Sequence, residues 1–212
     1  MQKIRSGEAV FECDSVLFSE PHYPYPLIAC IHSVALEQKG NLFVLDFGGG
    51  LGTTYYHCKP FLTGLEALRW SIVERPEVVE CGQREFQDEE LRFYFDIESA
   101  LAPRTPDVVI LSGVLQYLDK PKELLGKLAK CGIPYAILAR VPLVAAEQDI
   151  LAVQYTSPQI YQQSVPAWFF AHGGFVSDLA PNFEILAEFD GTDSASLPGE
   201  SVAYKGYFLR TR

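Results

Sequence analysis

The stretch VLDFGGGLG, residues 44–52, decides the fold. An apolar run (Leu42, Phe43, Val44, Leu45) stops at an acid, Asp46, and glycines follow at alternate positions: Gly48, Gly50 and Gly52. A short continuous apolar run reads as a buried parallel strand. Glycines directly after it let the backbone turn sharply and approach a ligand closely. A strand, a glycine loop and a helix, in that order, is how doubly wound α/β proteins hold a nucleotide-like ligand.

The spacing narrows the ligand. Gly48 and Gly50 fit the first two positions of the dinucleotide fingerprint GxGxxG, but its third falls on Thr53. The pattern is instead [DE]xGxGxG, which resembles motif I of class I methyltransferases that use S-adenosylmethionine. The resemblance implies an α/β, Rossmann-like fold: a mostly parallel seven-stranded sheet with an antiparallel C-terminal hairpin. It also implies S-adenosylmethionine as cofactor, its methionine end packed on the glycine loop. A glycine-rich turn with no ligand is the plain alternative, and the rest of the chain must supply the context.

Working outward, Leu27, Ile31, Val34 and Ala35 recur at helical spacing after the stiff PHYPYP segment (21–26), and Gly40 ends that helix. Residues 1–20 read as irregular. A helix follows the glycine loop to about Cys58, where Pro60 interrupts it. WSIVE (70–74) is a second strand, and Pro76 opens a helix that stops near Gly82. LRFYFD (91–96) and DVVILS (107–112) are the third and fourth strands. Asp119 and Pro121 mark the start of a helix with Leu124, Leu125 and Leu128 on its inner face and Gly132 as its stop. YAILARV (135–141) is the fifth strand. This βαβα alternation demands a mostly parallel sheet with right-handed crossovers. FEILAEFD (183–190) and SVAYKGYFLR (201–210) have no helix between them, so they form an antiparallel pair. A single domain is expected: an N-terminal segment and helix (1–40), a cofactor-binding core (41–142), an acceptor lid (143–180) and a terminal hairpin (181–212).

Ligands of open α/β sheets bind outside the carboxyl ends of the strands. Asp46, Glu74 and Asp96 all sit at such ends. Glu74 lies 24 residues beyond Gly50, near the offset of an acid that grips ribose hydroxyls. A carboxylate suits a vicinal diol because it accepts two hydrogen bonds side by side. In the family resembled, Asp96 would accept from the adenine amino group, with the backbone N–H of Ile97 on a ring nitrogen. Asp46 would face the methionine amino group and Ser112 would lie near the methionine end. Helix capping or a solvated strand end is the bland reading of each acid. SGVLQYL (112–118) resembles the segment after the fourth strand of small-molecule methyltransferases, with Gln116 where a histidine is common. Any His-based acid/base role is therefore lost at this position.

Four segments together resemble a family of bacterial methyltransferases: LDFGGGLG (45–52), RWSIVE (69–74), LSGVLQYL (111–118) and PQIYQQSVPAW (158–168). Its members often accompany surface-polysaccharide or specialised-metabolite genes, so the resemblance implies a sugar or small-molecule acceptor. The family's Asp-Arg-Thr-Pro after the fifth strand is here Ala139-Arg140-Val141-Pro142, and the acid is missing.

Candidates for the chemistry are His57, Gln116, Tyr117 and Arg140, all near the carboxyl ends of strands. Arg140 suits an acceptor carboxylate or phosphate. Tyr161, Trp168 and His172 lie in QYTSPQIYQQSVPAWFFAHGG (154–174), which lacks a clean period and reads as a binding loop or lid. Tyr55 and Lys59 match a YxxxK pattern of short-chain dehydrogenases but follow the glycine loop too closely, so chance explains them. Two rival readings stand beside the methyltransferase. One is an S-adenosylmethionine-binding accessory module without turnover; the other, disfavoured by the glycine spacing, is an NAD(P)-dependent sugar oxidoreductase.

Composition bounds the partners. The chain has 212 residues, 48% hydrophobic and 21% charged, and a net charge of −10 with no Lys/Arg cluster. That argues against a nucleic-acid partner, which needs a basic patch or stripe. The five cysteines are odd in number and form no CxxC, and the four histidines do not pair at metal spacing, so neither zinc nor a disulfide framework is expected. The expected location is the reducing cytoplasm. No signal peptide and no membrane span is read, and the oligomeric state stays open.

Overall fold

The computed structural model describes residues 11–13, 16–18, 23–155 and 164–212. The fold is α/β, with a mostly parallel sheet and antiparallel C-terminal strands. The chain divides into two compact units, Met1–Val109 and Ile110–Arg212.

The first unit opens with a short antiparallel pair, β1 (Phe11–Cys13) and β2 (Val16–Phe18). Helix α1 (Tyr25–Glu37) starts on a proline, buries Leu27, Ile31, Val34 and Ala35, and ends where Gly40 (φ 83°) donates its N–H to the Ala35 carbonyl at 2.9 Å. Strand β3 (Asn41–Phe47) pairs in parallel with β4 (Ala67–Val73), and β4 with β5 (Leu91–Tyr94). The apolar runs that announced these strands are their cores: Val44, Leu45, Trp70, Ile72 and Leu91 are fully buried. Between β3 and β4 lie α2 (Thr53–Cys58) and a 3₁₀ turn at Lys59–Phe61, where Pro60 ends the α-helical pattern.

Two of the boundaries that differ from the sequence reading are informative. Helix α3 (Pro76–Glu85) runs through Gly82 rather than stopping there. Gly82 is a packing residue: a Cβ at this position would fall on the Phe93 ring of β5. Gly82→Ala is expected to destabilise the protein by about 1–3 kcal/mol through overpacking, despite alanine's gain of about 1 kcal/mol in helix propensity. Urea unfolding measures the balance. The third strand stops at Tyr94, and Asp96 is the N-cap of a short helix, α4 (Ile97–Leu101), its Oδ1 accepting from the Ser99 N–H at 2.7 Å.

Strand β6 (Val108–Ser112) carries the division between the units. In the second unit a 3₁₀ turn at Leu115–Tyr117 leads to α5 (Pro121–Lys130), which buries Leu125 and Leu128 and leaves Leu124 half-buried. Strand β7 (Tyr135–Val144) is longer than the predicted fifth strand. It pairs antiparallel with β11 (Val202–Thr211), which pairs antiparallel with β10 (Phe183–Asp190), as the tail's two helix-free runs demand. The expected lid is largely regular structure. Residues 150–155 and 164–171 form an antiparallel pair, β8 (Ile150–Tyr155) and β9 (Ser164–Ala171), followed by α6 (His172–Leu179). One face of the pair packs Ala167 and Phe169 against Val144. The other exposes Leu151, Val153 and Tyr155. With apolar residues on both faces, no polar alternation marks the strands.

Candidate functional site

In the first unit the motif glycines take the conformations their spacing requires. Gly48 (φ 74°), Gly50 (φ 56°) and Gly52 (φ 98°) are all left-handed, a region costly for any residue with a Cβ. Gly48 N–H donates to the Val73 carbonyl at 2.9 Å, tying the loop to β4. Gly52 caps α2, and Tyr56 N–H closes the first turn on its carbonyl. Gly49 serves close approach: a Cβ there would lie 2.6 Å from the Asp46 Cγ and Oδ2.

Asp46 therefore sits directly under the loop. It is 1% exposed, and its Oδ2 accepts from the Trp70 indole N–H at 3.0 Å. Its Oδ1 is buried and has no hydrogen-bond partner among the described residues. Burial pushes the carboxyl up to about 7; the Trp70 bond opposes this and the nearby charge of Glu74 adds to it. Burial and the Asp46 charge raise the neighbouring Cys58 thiol far above its ordinary range. Glu74 follows β4, with its side chain 16% exposed, its Oε2 accepting from the Arg75 N–H at 2.7 Å and Arg75 Nε 3.8 Å away. Asp96 and Ile97 stand at the start of α4, Asp96 exposed and Ile97 buried. His57, on α2, is only 8% exposed.

The YxxxK pattern has a structural use. Lys59 Nζ donates to the Tyr55 hydroxyl at 2.6 Å, and both reach Glu90 Oε2, at 2.9 Å and 2.8 Å. Burial and the Glu90 carboxylate hold the Tyr55 phenol far above its ordinary range. It is no base; the trio ties α2 to the segment before β5.

In the second unit, Ser112 is the half-buried last residue of β6. Gln116 is 4% exposed, and its Oε1 has no partner among the described residues. Tyr117 is exposed and donates to Gln154 Oε1 of β8 at 3.0 Å, while Trp168 of β9 donates to the Leu118 carbonyl at 3.2 Å. The turn after β6 and the β8–β9 pair are thus brought together. His172 is exposed at the start of α6, and Tyr161 lies outside the described residues.

Arg140 departs from its expected place. It is not at a strand end but inside β7, at a register shift against β11, with φ 61°. Its guanidinium is already engaged: Nε lies 2.9 Å from Asp193 Oδ1 and Nη2 2.8 Å from the same oxygen. A Cβ on Gly113 would fall 2.9 Å from its Nη1. Sequence reasoning missed both Asp193 and Trp70. The indole of Trp70, fully buried inside a strand, was a readable sign of an acceptor nearby.

No group of His, Cys, Asp or Glu that could hold a metal ion occurs among the described residues. No described helix is long and apolar enough to cross a membrane.

Comparison with solved structures defines the class of fold. The chain is similar to the N-terminal domain of EvdMO1, solved in the presence of S-adenosylhomocysteine and D-fucose, with TM-score 0.59 and 16% identity over 95% of this chain and 90% of that one. It is similar to the glycopeptide N-methyltransferase MtfA complexed with S-adenosylhomocysteine, with TM-score 0.55 and 13% identity over 85% and 88%. Magnesium protoporphyrin IX methyltransferase from Synechocystis PCC 6803, with S-adenosylmethionine bound, gives TM-score 0.53 and 14% identity over 88% and 78%. The fold is that of class I S-adenosylmethionine-dependent methyltransferases. No protein-family model and no curated protein matches the chain.

Proposed function

We propose that the chain is an S-adenosylmethionine-dependent methyltransferase acting at oxygen or nitrogen of a small molecule or sugar, in surface-glycan or specialised metabolism. The observation that carries this reading is the buried Asp46 under the glycine loop, with one oxygen held by Trp70 and the other without a partner among the described residues. That carboxylate fits an ammonium group. Gly48, Gly50 and Gly52 supply a loop a ligand can approach closely, and Glu74 supplies a second carboxylate after the neighbouring strand. Only its Oε2 is drawn on by Arg75, so Oε1 suits a ribose hydroxyl. Asp96 and the Ile97 N–H are the proposed adenine contacts, with Asp96 Oδ1 shared with its capping bond.

The cofactor supplies an activated electrophilic methyl group on a sulfonium. The chain's residues orient an acceptor and exclude water. Ser112 is proposed at the methionine end. Tyr117 and Trp168, anchored through Gln154 and Leu118, are the proposed acceptor wall, with Tyr161 and His172 as further lid candidates. His57 and Gln116 are buried, so we assign them to shaping the site rather than to proton transfer. Arg140 reaches an acceptor anion only by exchanging Asp193 for it. The capture of Arg140 by Asp193 and the buried Gln116 favour the accessory module as the second reading.

Calorimetry with S-adenosylhomocysteine and NADPH tests the cofactor. Tight NADPH binding without S-adenosylhomocysteine binding refutes the proposal. Retained S-adenosylhomocysteine binding with no methyl transfer to any sugar or small-molecule acceptor offered favours the accessory module. Glu74→Ala is expected to weaken S-adenosylhomocysteine binding by about 2 kcal/mol, a lost charge-assisted hydrogen bond; unchanged affinity refutes the ribose assignment.

A further inference from the structure

Arg69 on β4 and Arg92 on β5 project from one face of this parallel pair. Arg92 stands in register with Ser71, and Arg69 lies two residues before Ser71, on the same side of its strand. Adjacent strands lie about 4.8 Å apart and a two-residue offset adds roughly 6.6 Å along the strand, so the two backbones are about 8 Å apart, a span two long guanidinium arms can bridge. With Phe43, Ser71, Tyr94 and Pro103, they line a cavity of about 160 Å³.

The charge state of this cavity is unusual for the chain, which carries a net −10. Other cations nearby are neutralised: Lys59 by Glu90 and Arg104 by Asp107. Arg69 and Arg92 are exposed, and their side chains make no ion pair or hydrogen bond with any described residue. Two acids also border the cavity. Glu90 is already bound by Lys59 and Tyr55, and Glu89 is exposed.

The floor and walls therefore offer two guanidinium forks and two hydroxyls, the 2%-exposed Ser71 and the half-buried Tyr94. A carboxylate has two oxygens to place among them; a phosphate ester has three, and guanidinium forks match phosphate geometry. We propose that this cavity binds the phosphate group of a small phosphate ester, clamped between Arg69 and Arg92, with Glu89 accepting from a hydroxyl of the ester's body. Arg69 and Arg92 lie in the amino-terminal halves of their strands, whereas the glycine loop, Glu74 and Asp96 follow the carboxyl ends. The site is thus separate from the proposed cofactor site and does not rest on that reading.

Calorimetry with inorganic phosphate as the probe, at constant ionic strength, tests it. Saturable one-site binding with a dissociation constant in the millimolar range is expected. Arg69→Gln and Arg92→Gln should each weaken it tenfold or more, and the double variant should abolish it. Arg92→Lys, which keeps the charge but loses the fork, should fall between. Arg84→Gln, whose guanidinium pairs with Glu85 on α3, should bind as wild type. Because both cavity arginines are exposed, all variants should melt as wild type in phosphate-free buffer. No saturable phosphate binding by the wild type, or wild-type affinity in the double variant, overturns the proposal. S-adenosylhomocysteine affinity should be unchanged in every variant, and a loss in the double variant overturns the separation of the two sites. Phosphate binding in a wild type that binds no S-adenosylhomocysteine would refute the proposed function alone.

Discussion

Gly49→Ala is expected to weaken S-adenosylhomocysteine binding at least a hundredfold while leaving circular dichroism unchanged. The methyl group would sit 2.6 Å from the Asp46 Cγ and Oδ2 and 3.0 Å from Oδ1. The carboxylate has nowhere to go, since Asp46 is 1% exposed and Oδ2 is held by Trp70. The loop must lift instead, and its tie from Gly48 N–H to the Val73 carbonyl stretches with it. A lifted loop loses its close contacts with the ligand, and a hundredfold loss of affinity is about 2.8 kcal/mol, on the order of one or two charge-assisted hydrogen bonds. Gly50→Ala tests the other half of the motif. A Cβ there meets nothing within 4 Å, but φ is +56°. The left-handed conformation costs about 1–2 kcal/mol for a residue with a Cβ; a loop that relaxes out of it when empty must regain it on binding, so this variant should bind roughly tenfold more weakly. Wild-type affinity in Gly49→Ala would show that the loop does not seat the ligand.

The strands of the sheet were legible because buried parallel strands write themselves as unbroken apolar runs. Leu42–Leu45 and Val108–Leu111 are such runs, each bounded by an acid, and Trp70–Val73 is broken only by the small Ser71. The glycine loop was legible because no other residue adopts three left-handed conformations in five positions cheaply. What was not legible depended on where elements end and on what packs against them, neither of which the local pattern states. Asp96 reads as a strand-end acid, but its cap is formed only once the strand stops two residues earlier. Arg140 carries no local signal for φ 61°, and its partner Asp193 lies 53 residues downstream in a loop. Gly82 looks like a helix stop until the Phe93 ring occupies the space a side chain would need. The β8–β9 pair hides because one apolar face meets Val144 and the other stays exposed, which erases the alternation that identifies a half-buried strand.

Replacing Asp46 by asparagine is expected to remove a pH-dependent instability of a few kcal/mol. An unfolded aspartate titrates near 3.9, whereas burial, against the Trp70 bond and with the Glu74 charge, pushes the native Asp46 up to about 7. Between these values the native state holds a proton that the unfolded state has released. Stability therefore falls as pH rises from about 4 to 7 and levels off above the native value. At about 1.4 kcal/mol per unit, a gap of roughly three units sets an upper bound on the order of 4 kcal/mol. Glu90 has the opposite sign, being held below its ordinary range by Lys59 and Tyr55, but it is present in both proteins and cancels in the difference. Urea unfolding of wild type and Asp46→Asn across this window should give curves that converge in acid and diverge towards neutrality, with the variant the more stable. Asparagine keeps an acceptor for the Trp70 N–H, so the comparison isolates the charge. Parallel curves would mean that Asp46 ionises normally in the folded protein. The same proton marks the ligand: an ammonium group set against Oδ1 favours the carboxylate, so binding S-adenosylhomocysteine at pH 6 should release a proton. The calorimetric enthalpy should then differ between two buffers of contrasting ionisation heat, and equal enthalpies would remove Asp46 from the methionine end of the site.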